Sequence, residues 1–404
     1  MLYDPARHEP LRTIAWDETR ARETIAHIVG DTEERFSLDH YWPLHPRDAD
    51  VGETEPAYPL YHGACGVIWA LDYLQRAGAV RLRRSYAPHI EPLLARNAAW
   101  LASFDCPFEA SYAMGATGIL LVDYAIGPSA KAADHLATLV DSNIDNPTRE
   151  LMWGAPGTLL AASFMHERTG EPRWAELFRK TVAHLRSQLL WSPDFECHYW
   201  TQDMYGACST YLDAVHGFVA TASVLIRGRN LLAADDWRAW ETCIANTVRR
   251  TAAREGNLAN WRTWLYAGNG STLTLLMQFC RGAPGFVVCL AGMPGTSLDD
   301  CLLAAGEATW AAGPLAKGSN LCHGTGGNGY AFLALHARTK DPLWLDRARA
   351  FAMHAIEQTH ADERRFGRLR YSLWTGDPGF AIYLWDCIQA TARFPTLDVL
   401  FAAA

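Results

Sequence analysis

A glycine motif that returns seven times along the chain limits the possible folds more than any other feature of the sequence. Six copies have the pattern Gly-x-x-Gly, whereas the fourth has Ala220 at the last position. Successive first glycines are 39 to 65 residues apart, which is enough for two helices and their connections. A repeat of this length predicts a series of helical hairpins. The first glycines of the seven copies are Gly63, Gly115, Gly154, Gly217, Gly282, Gly324 and Gly376.

Each motif opens an apolar stretch of about three helical turns. Helices that are apolar on most sides are buried, and glycine permits a tight turn into them. We therefore predict an all-α fold, an α/α toroid in which seven hairpins form a double-layered ring with the glycine turns at one end. An open solenoid of helical repeats is the alternative that the pattern leaves. Amphipathic segments between the motifs predict outer, half-solvated helices at 89–104, 172–190, 234–253 and 342–358.

The length of the chain also favours a ring. Its 404 residues, of which 49% are hydrophobic, can bury a large core, but this length exceeds one ordinary compact core. A closed ring of repeats resolves the difference, because each repeat packs only on its neighbours. We predict that residues 1–59 are an N-terminal segment leading into the ring and that residues 60–404 form the toroid as a single domain.

Charge and apolar patterning exclude some classes of partner. The chain has 36 basic and 44 acidic residues and no basic block, so we do not expect it to bind nucleic acid. Neither a secretory signal nor a membrane span is predicted, because no sufficiently long apolar stretch is present. We therefore expect a cytoplasmic protein whose ten cysteines are reduced.

Two repeats carry residues of the kind that bind metals. Cys280 lies two residues before Gly282, and Cys322 and His323 directly precede Gly324. Catalytic zinc usually has three protein ligands and an open fourth position, and two thiolates with one imidazole suit it. The alternative is that these residues are structural, since two cysteines 42 residues apart form no recognisable ligand spacing.

The strings around these residues resemble a known family. CRGAPG (280–285) and CHGTGGN (322–328) are similar to the signatures of the lanthionine synthetase C-like family, and the seven glycine repeats resemble its α/α toroid. The resemblance covers roughly residues 60 to 395. It implies a Zn²⁺ ion held by Cys280, Cys322 and His323. It also implies addition of a cysteine or glutathione thiol to a dehydroalanine or dehydrobutyrine residue in a peptide or protein.

The resemblance also implies roles for further residues. His216 matches a histidine outside the ligand set and is the candidate general acid that protonates the enolate after thiol addition. Glu150 lies where lantibiotic cyclases carry an acidic residue that orients or assists catalysis, although it could be only a favourable helix-end charge. Arg281 stands where the family commonly has histidine or tyrosine, and its guanidinium could stabilise the enolate. Lys317 resembles a glutathione contact of the eukaryotic branch, whereas its companion arginine is not identifiable among Arg364, Arg365 and Arg370.

Two other function classes stay open. Sixteen tryptophans could line the sugar cleft of a helical-ring glycan-acting enzyme, although such hydrolases need two facing carboxylates. The chain could also be a non-catalytic, zinc-containing scaffold that binds peptides. For the leading function we expect a dehydrated peptide or protein as substrate, glutathione as a possible thiol donor, and a separate dehydratase or kinase that prepares the substrate.

Overall fold

The computed structural model describes residues 1–48, 56–266 and 275–401. These residues contain 14 α-helices, three short 3₁₀-helices and three two-stranded antiparallel sheets. In chain order the helices are α1 (Glu18–Glu34), α2 (Ala64–Arg76), α3 (Glu91–Ala102), α4 (Ala116–Ile126), α5 (Ala130–Ser142), α6 (Ala155–Thr169), α7 (Pro172–Ser187), α8 (Phe218–Arg227), α9 (Ala234–Thr251), α10 (Ala283–Leu290), α11 (Asp299–Ala312), α12 (Thr325–Thr339), α13 (Pro342–Phe366) and α14 (Asp377–Gln389).

The even-numbered helices are the seven that the glycine motif predicts. In each of them the first glycine of the motif is the N-cap residue, and the helix begins at the next position. The second glycine is required by close packing: a Cβ atom added at Gly157 would lie 2.1 Å from the carbonyl oxygen of Leu151 and 2.6 Å from Cβ of Tyr112. The motif is therefore a steric requirement of the turn, which is why the sequence alone locates it.

The odd-numbered helices include the amphipathic ones. All four segments predicted as outer helices are helical, as α3, α7, α9 and α13. In α7 the apolar face buries Trp174, Phe178 and Leu185, while the opposite face is charged and exposed. Helix α13 continues to Phe366, eight residues beyond the predicted end. These segments confirm the alternation of buried and half-solvated helices.

The described chain divides into two compact units. The first consists of Met1–Ala6, Ala110–Tyr112 and Asp134–Ala312, and in it α6 packs on α7 and α8 while α10 packs on α8 and α11. The second consists of Arg7–Glu109, Ala113–Ala133 and Gly313–Ala404, and in it α14 packs on α1, α2 and α13. The predicted N-terminal segment thus supplies an outer helix, α1, to the second unit. A single domain over 60–404 stays a prediction.

Three β-hairpins lie in the first unit, where strand signals in the sequence are sparse. They pair β1 (Leu190–Ser192) with β2 (Cys197–Tyr199), β3 (Gln202–Met204) with β4 (Ala207–Ser209), and β5 (Ala252–Glu255) with β6 (Leu258–Trp261). Strands of three or four residues are too short to show a clear alternating pattern.

Across the described ranges, none of the helices combines the length and the apolar character that a membrane crossing requires.

Candidate active site

A histidine and a buried glutamate form a hydrogen-bonded pair in the first unit. Glu150 lies in the turn before α6, where its carboxylate accepts hydrogen bonds from the backbone N–H groups of Met152, at 2.8 Å, and Trp153, at 2.5 Å. The Nδ1 atom of His216, in the turn before α8, lies 2.8 Å from Oε2 of the same carboxylate. Glu150 is completely buried, whereas the side chain of His216 is 15% exposed. Since an ionised carboxylate can only accept, the Nδ1 atom carries the proton and Nε2 remains for other partners.

A second buried carboxylate, which the sequence analysis did not single out, supports the same turn. Asp213 accepts hydrogen bonds from the backbone N–H groups of Val215, at 3.0 Å, and His216, at 2.7 Å. Its other oxygen lies 3.8 Å from Nε of Arg281. Asp213 therefore connects the two predicted catalytic residues, His216 and Arg281, within one cluster. A signal for it was available, because Asp213 precedes Gly217 by four residues as Glu150 precedes Gly154.

The charges of this cluster favour a protonated histidine. Burial lowers the pKa of His216, but the hydrogen bond and the charge of Glu150, together with the charge of Asp213, outweigh burial and leave this pKa above its ordinary value. Burial raises the pKa of Asp213 to about 6, although the charges of His216 and Arg281 and two backbone N–H groups oppose the rise. An imidazolium near neutral pH can act as a proton donor.

Aromatic rings surround the exposed side of the cluster, and no sequence pattern indicated them. The guanidinium of Arg281 lies over the rings of Tyr211 and Trp264, at 5.9 and 5.7 Å from their centroids. The ring of Tyr211 lies 5.5 Å from the imidazole of His216 and that of Tyr205 lies 6.4 Å from it. Such contacts between a cation and ring faces hold Arg281 in place.

Cys280 lies in the same unit, in the turn before α10. Its side chain is half-buried, and its sulfur accepts a hydrogen bond of 2.9 Å from Nε2 of Gln278. The backbones of Gln278 and Arg281 pair with each other across this turn, at 3.2 and 3.0 Å. The tight turn therefore fixes Cys280 directly before Arg281, the arginine of the cluster.

Cys322 and His323 lie in the second unit, in the turn before α12. The ligand atoms that these two residues offer lie within 4.8 Å of each other. Cys322 is buried, and its sulfur accepts a hydrogen bond of 2.9 Å from the hydroxyl of Tyr61. The backbone N–H of His323 donates to Oδ1 of Asn320 at 3.0 Å. Both candidate ligands are thus held by defined neighbours.

Lys317 is exposed at the rim of a polar pocket in the second unit. Its carbonyl oxygen accepts a hydrogen bond of 3.1 Å from Arg47. Of the three arginines considered as its companion, Arg370 lines this pocket, where it forms a bidentate ion pair with Asp48. The pocket therefore brings Lys317 and Arg370 to one surface.

Comparison with known proteins identifies the family of this chain and a solved structure with the same fold. The model of the lanthionine synthetase C-like protein family matches residues 56–399, most of the chain. The chain belongs to the lanthionine synthetase C-like family. A solved structure of nisin cyclase superposes with a TM-score of 0.60 at 15% sequence identity, covering 94% of this chain and 97% of that one. This likeness confirms the predicted all-α fold of the α/α toroid class.

Two curated relatives match over shorter stretches. Glutathione S-transferase LANCL1 of Danio rerio is 37% identical over 136 residues, which is 32% of this chain and 33% of that protein. LanC-like protein GCL1 of Arabidopsis thaliana is 30% identical over 140 residues, which is 32% of this chain and 32% of that protein. The match thus spans about a third of the length of these relatives. By these names the lanthionine synthetase C-like family includes enzymes.

Proposed function

We propose that the protein catalyses the zinc-dependent addition of a thiol, from cysteine or glutathione, to a dehydroalanine or dehydrobutyrine residue in a peptide or protein. The observation that carries the proposal is the pair of His216 with the fully buried Glu150, next to Arg281. Membership of a family that includes a cyclase and a glutathione S-transferase by name supports it.

The donor set of Cys280, Cys322 and His323 fits zinc. Two thiolates and one imidazole are soft and borderline donors, which favour Zn²⁺ over the hard cations that prefer oxygen. Cys280 and Cys322 each lie three residues before the first residue of an inner helix, and His323 lies two residues before it. The positive end of a helix dipole favours thiolate over thiol. When bound, zinc would hold the incoming thiol as a nucleophilic thiolate near neutral pH.

Residues of the chain would then stabilise the negative charge of the enolate and supply its proton. Thiol addition forms a carbon–sulfur bond at the β-carbon and leaves negative charge on the enolate of the acceptor residue. Arg281 would donate to the enolate oxygen, held in place by Asp213 and the aromatic rings. His216 would give the proton on Nε2 to the α-carbon, and the proton lost by the thiol would replace it on the imidazole. Glu150 stabilises the imidazolium before transfer and fixes the tautomer after it.

Lys317 would bind a carboxylate of glutathione, because it is exposed at the rim of the polar pocket of the second unit. Arg370 lines the same pocket, but its charge is already balanced there by the ion pair with Asp48. If the donor is a cysteine of the substrate itself, this surface would be dispensable. We therefore expect Lys317→Ala to raise KM for glutathione and to leave the reaction with a peptide thiol unchanged.

The experiment that tests the proposal is mass spectrometry of a dehydroalanine peptide incubated with the purified protein, zinc and glutathione. A mass gain of one glutathione, absent without the protein, would support an enzyme. Full metal content with no product would favour the peptide-binding scaffold. A cytoplasmic location and a separate dehydratase or kinase stay predictions from the sequence.

Elemental analysis of variants tests the ligand set. Cys280→Ala, Cys322→Ala and His323→Ala should each lose most of a near-equimolar zinc content. Cys208→Ala is the matched control, because Cys208 is exposed on strand β4 and outside the proposed set. Equal zinc in all four variants would contradict the assignment.

A further inference from the structure

An exposed tyrosine stands over the proposed general acid. Tyr205 forms the turn of the β3–β4 hairpin with Gly206, and both residues have positive φ, 54° and 72°. A tyrosine rarely adopts this conformation, and large aromatic side chains are seldom left in solvent, yet Tyr205 is 72% exposed. Its hydroxyl accepts a hydrogen bond of 2.9 Å from the indole of Trp153, and its ring lies edge-on to His216. The strained turn therefore directs the ring toward the cluster.

The ring of Tyr211 lies beside the same imidazole, and the ring of Trp264 packs against Tyr211. Tyr211 and Trp264 are half-buried, and their rings lie 5.7 Å apart. The segments that carry them are tied by backbone hydrogen bonds on both sides, from Leu212 to Thr263 and from Leu265 to Thr210, each 2.8 Å long. These rings are therefore held rigidly while part of their surface stays open.

We propose that Tyr205, Tyr211 and Trp264 form a subsite for a bulky apolar side chain of the acceptor peptide, in a residue adjacent to the dehydroamino acid. This inference rests on the proposed function. His216 must reach the α-carbon of the dehydroamino acid, and consecutive residues of an extended peptide are about 3.3–3.6 Å apart along the chain. A neighbouring side chain therefore falls within reach of rings whose centroids lie 5.5 and 6.4 Å from the imidazole.

The chemistry of the surface selects this occupant. Aromatic rings provide apolar contact area with little loss of side-chain entropy. Arg281, across the faces of two of the rings, supplies donors for the carbonyl groups of a peptide. The subsite is continuous with the proposed catalytic cluster, so that side-chain binding would position the reacting residue and appear mainly in KM.

The test compares peptides in which dehydroalanine is flanked by glycine only or by one leucine or phenylalanine. With glutathione as donor, the wild-type protein should have a KM about 3- to 10-fold lower for the leucine and phenylalanine peptides, the size expected of one aromatic contact. Tyr205→Ala and Trp264→Ala should bring this ratio close to one. Tyr205→Phe keeps the ring and should keep most of the preference.

Trp191→Ala is the matched control. Trp191 is a 53% exposed aromatic residue on the neighbouring hairpin, where its ring packs against His198. This variant should keep the wild-type preference. Equal KM values of the wild-type protein for all peptides, or the same loss of preference in Trp191→Ala, would overturn the subsite.

Binding of saturated peptides separates this inference from the proposed reaction. Alanine replaces dehydroalanine in these peptides, and their affinities are measured by fluorescence anisotropy. A wild-type protein that adds no thiol, yet binds the leucine peptide more tightly in a manner that depends on Tyr205, would sink the proposed function and leave the subsite standing. Thiol addition without any such preference in KM or affinity would overturn the subsite alone.

Discussion

Replacing Glu150 by glutamine tests whether its charge holds the proton on His216. The variant preserves the shape of the side chain but removes the negative charge 2.8 Å from Nδ1 of the imidazole. A hydrogen bond between charged groups contributes about 1.5–3 kcal/mol. Its loss should reduce the protonated fraction of His216 about 10- to 100-fold at pH values above its pKa. Because the charge of Glu150 raises this pKa, the alkaline limb of kcat/KM should move to lower pH.

The assay is the pH profile of glutathione addition to a dehydroalanine peptide. The rates of the variant and the wild-type protein should converge as the pH falls, because the imidazole is then protonated in both. Glutamine also has one oxygen fewer for the backbone N–H groups of Met152 and Trp153, so some loss of stability is expected.

Glu33→Gln controls for that loss of stability. Glu33 is also buried, and its carboxylate accepts hydrogen bonds from the backbone N–H of Arg83, at 2.9 and 3.2 Å. This variant should melt at a lower temperature and keep the wild-type pH profile. An unmoved alkaline limb in Glu150→Gln, or an equal loss of rate at every pH, would refute the electrostatic role of Glu150.

Three further predictions concern the fold and the cluster. Gly157→Ala should lower the free energy of unfolding by about 3 kcal/mol or more, because the added Cβ has no space. Gly30→Ala, in open space within α1, should raise the free energy of unfolding by about 0.5–1 kcal/mol. Denaturant titrations that give both variants the same change would contradict this prediction. Burial raises the pKa of Asp386 to about 7, so the folded state keeps a proton that the unfolded state loses near pH 4. The contribution of this carboxyl to stability should therefore fall by on the order of 4 kcal/mol between pH 4 and 7 and stay level above. Asp386→Asn should make the slope of melting temperature against pH shallower, while Asp213, whose pKa burial also raises, keeps its own contribution. His216→Ala should keep zinc and lose ~10²- to 10⁴-fold in the rate of thiol addition. The double variant with Arg281→Ala should lose less than the product of the two single losses. Initial rates of the three variants measure this.

The sequence predicted the helices better than it predicted the surroundings of the cluster. The positions of the motif glycines follow from local sterics, so spacing alone located all seven inner helices. Tyr205 and Tyr211 meet His216, and Trp264 meets Tyr211, through a hairpin and an isolated bridge, and such contacts leave no periodic pattern. The donor to Cys322, Tyr61, depends on tertiary placement in the same way, whereas the donor to Cys280, Gln278, lies two residues away in the same turn.

In the turns before the inner helices, one position shapes the loop and a different position presents a variable side chain. Four positions before the motif glycine, the side chains of Glu150, Asp213 and Asn320 accept hydrogen bonds from backbone N–H groups two or three residues further on. The loop is thereby shaped from within, and the position just before the glycine is left to vary, as Trp153, His216 and His323 illustrate. In each such turn the side chain just before the glycine can therefore change, and with it the local chemistry, while the hydrogen bonds that shape the loop stay the same.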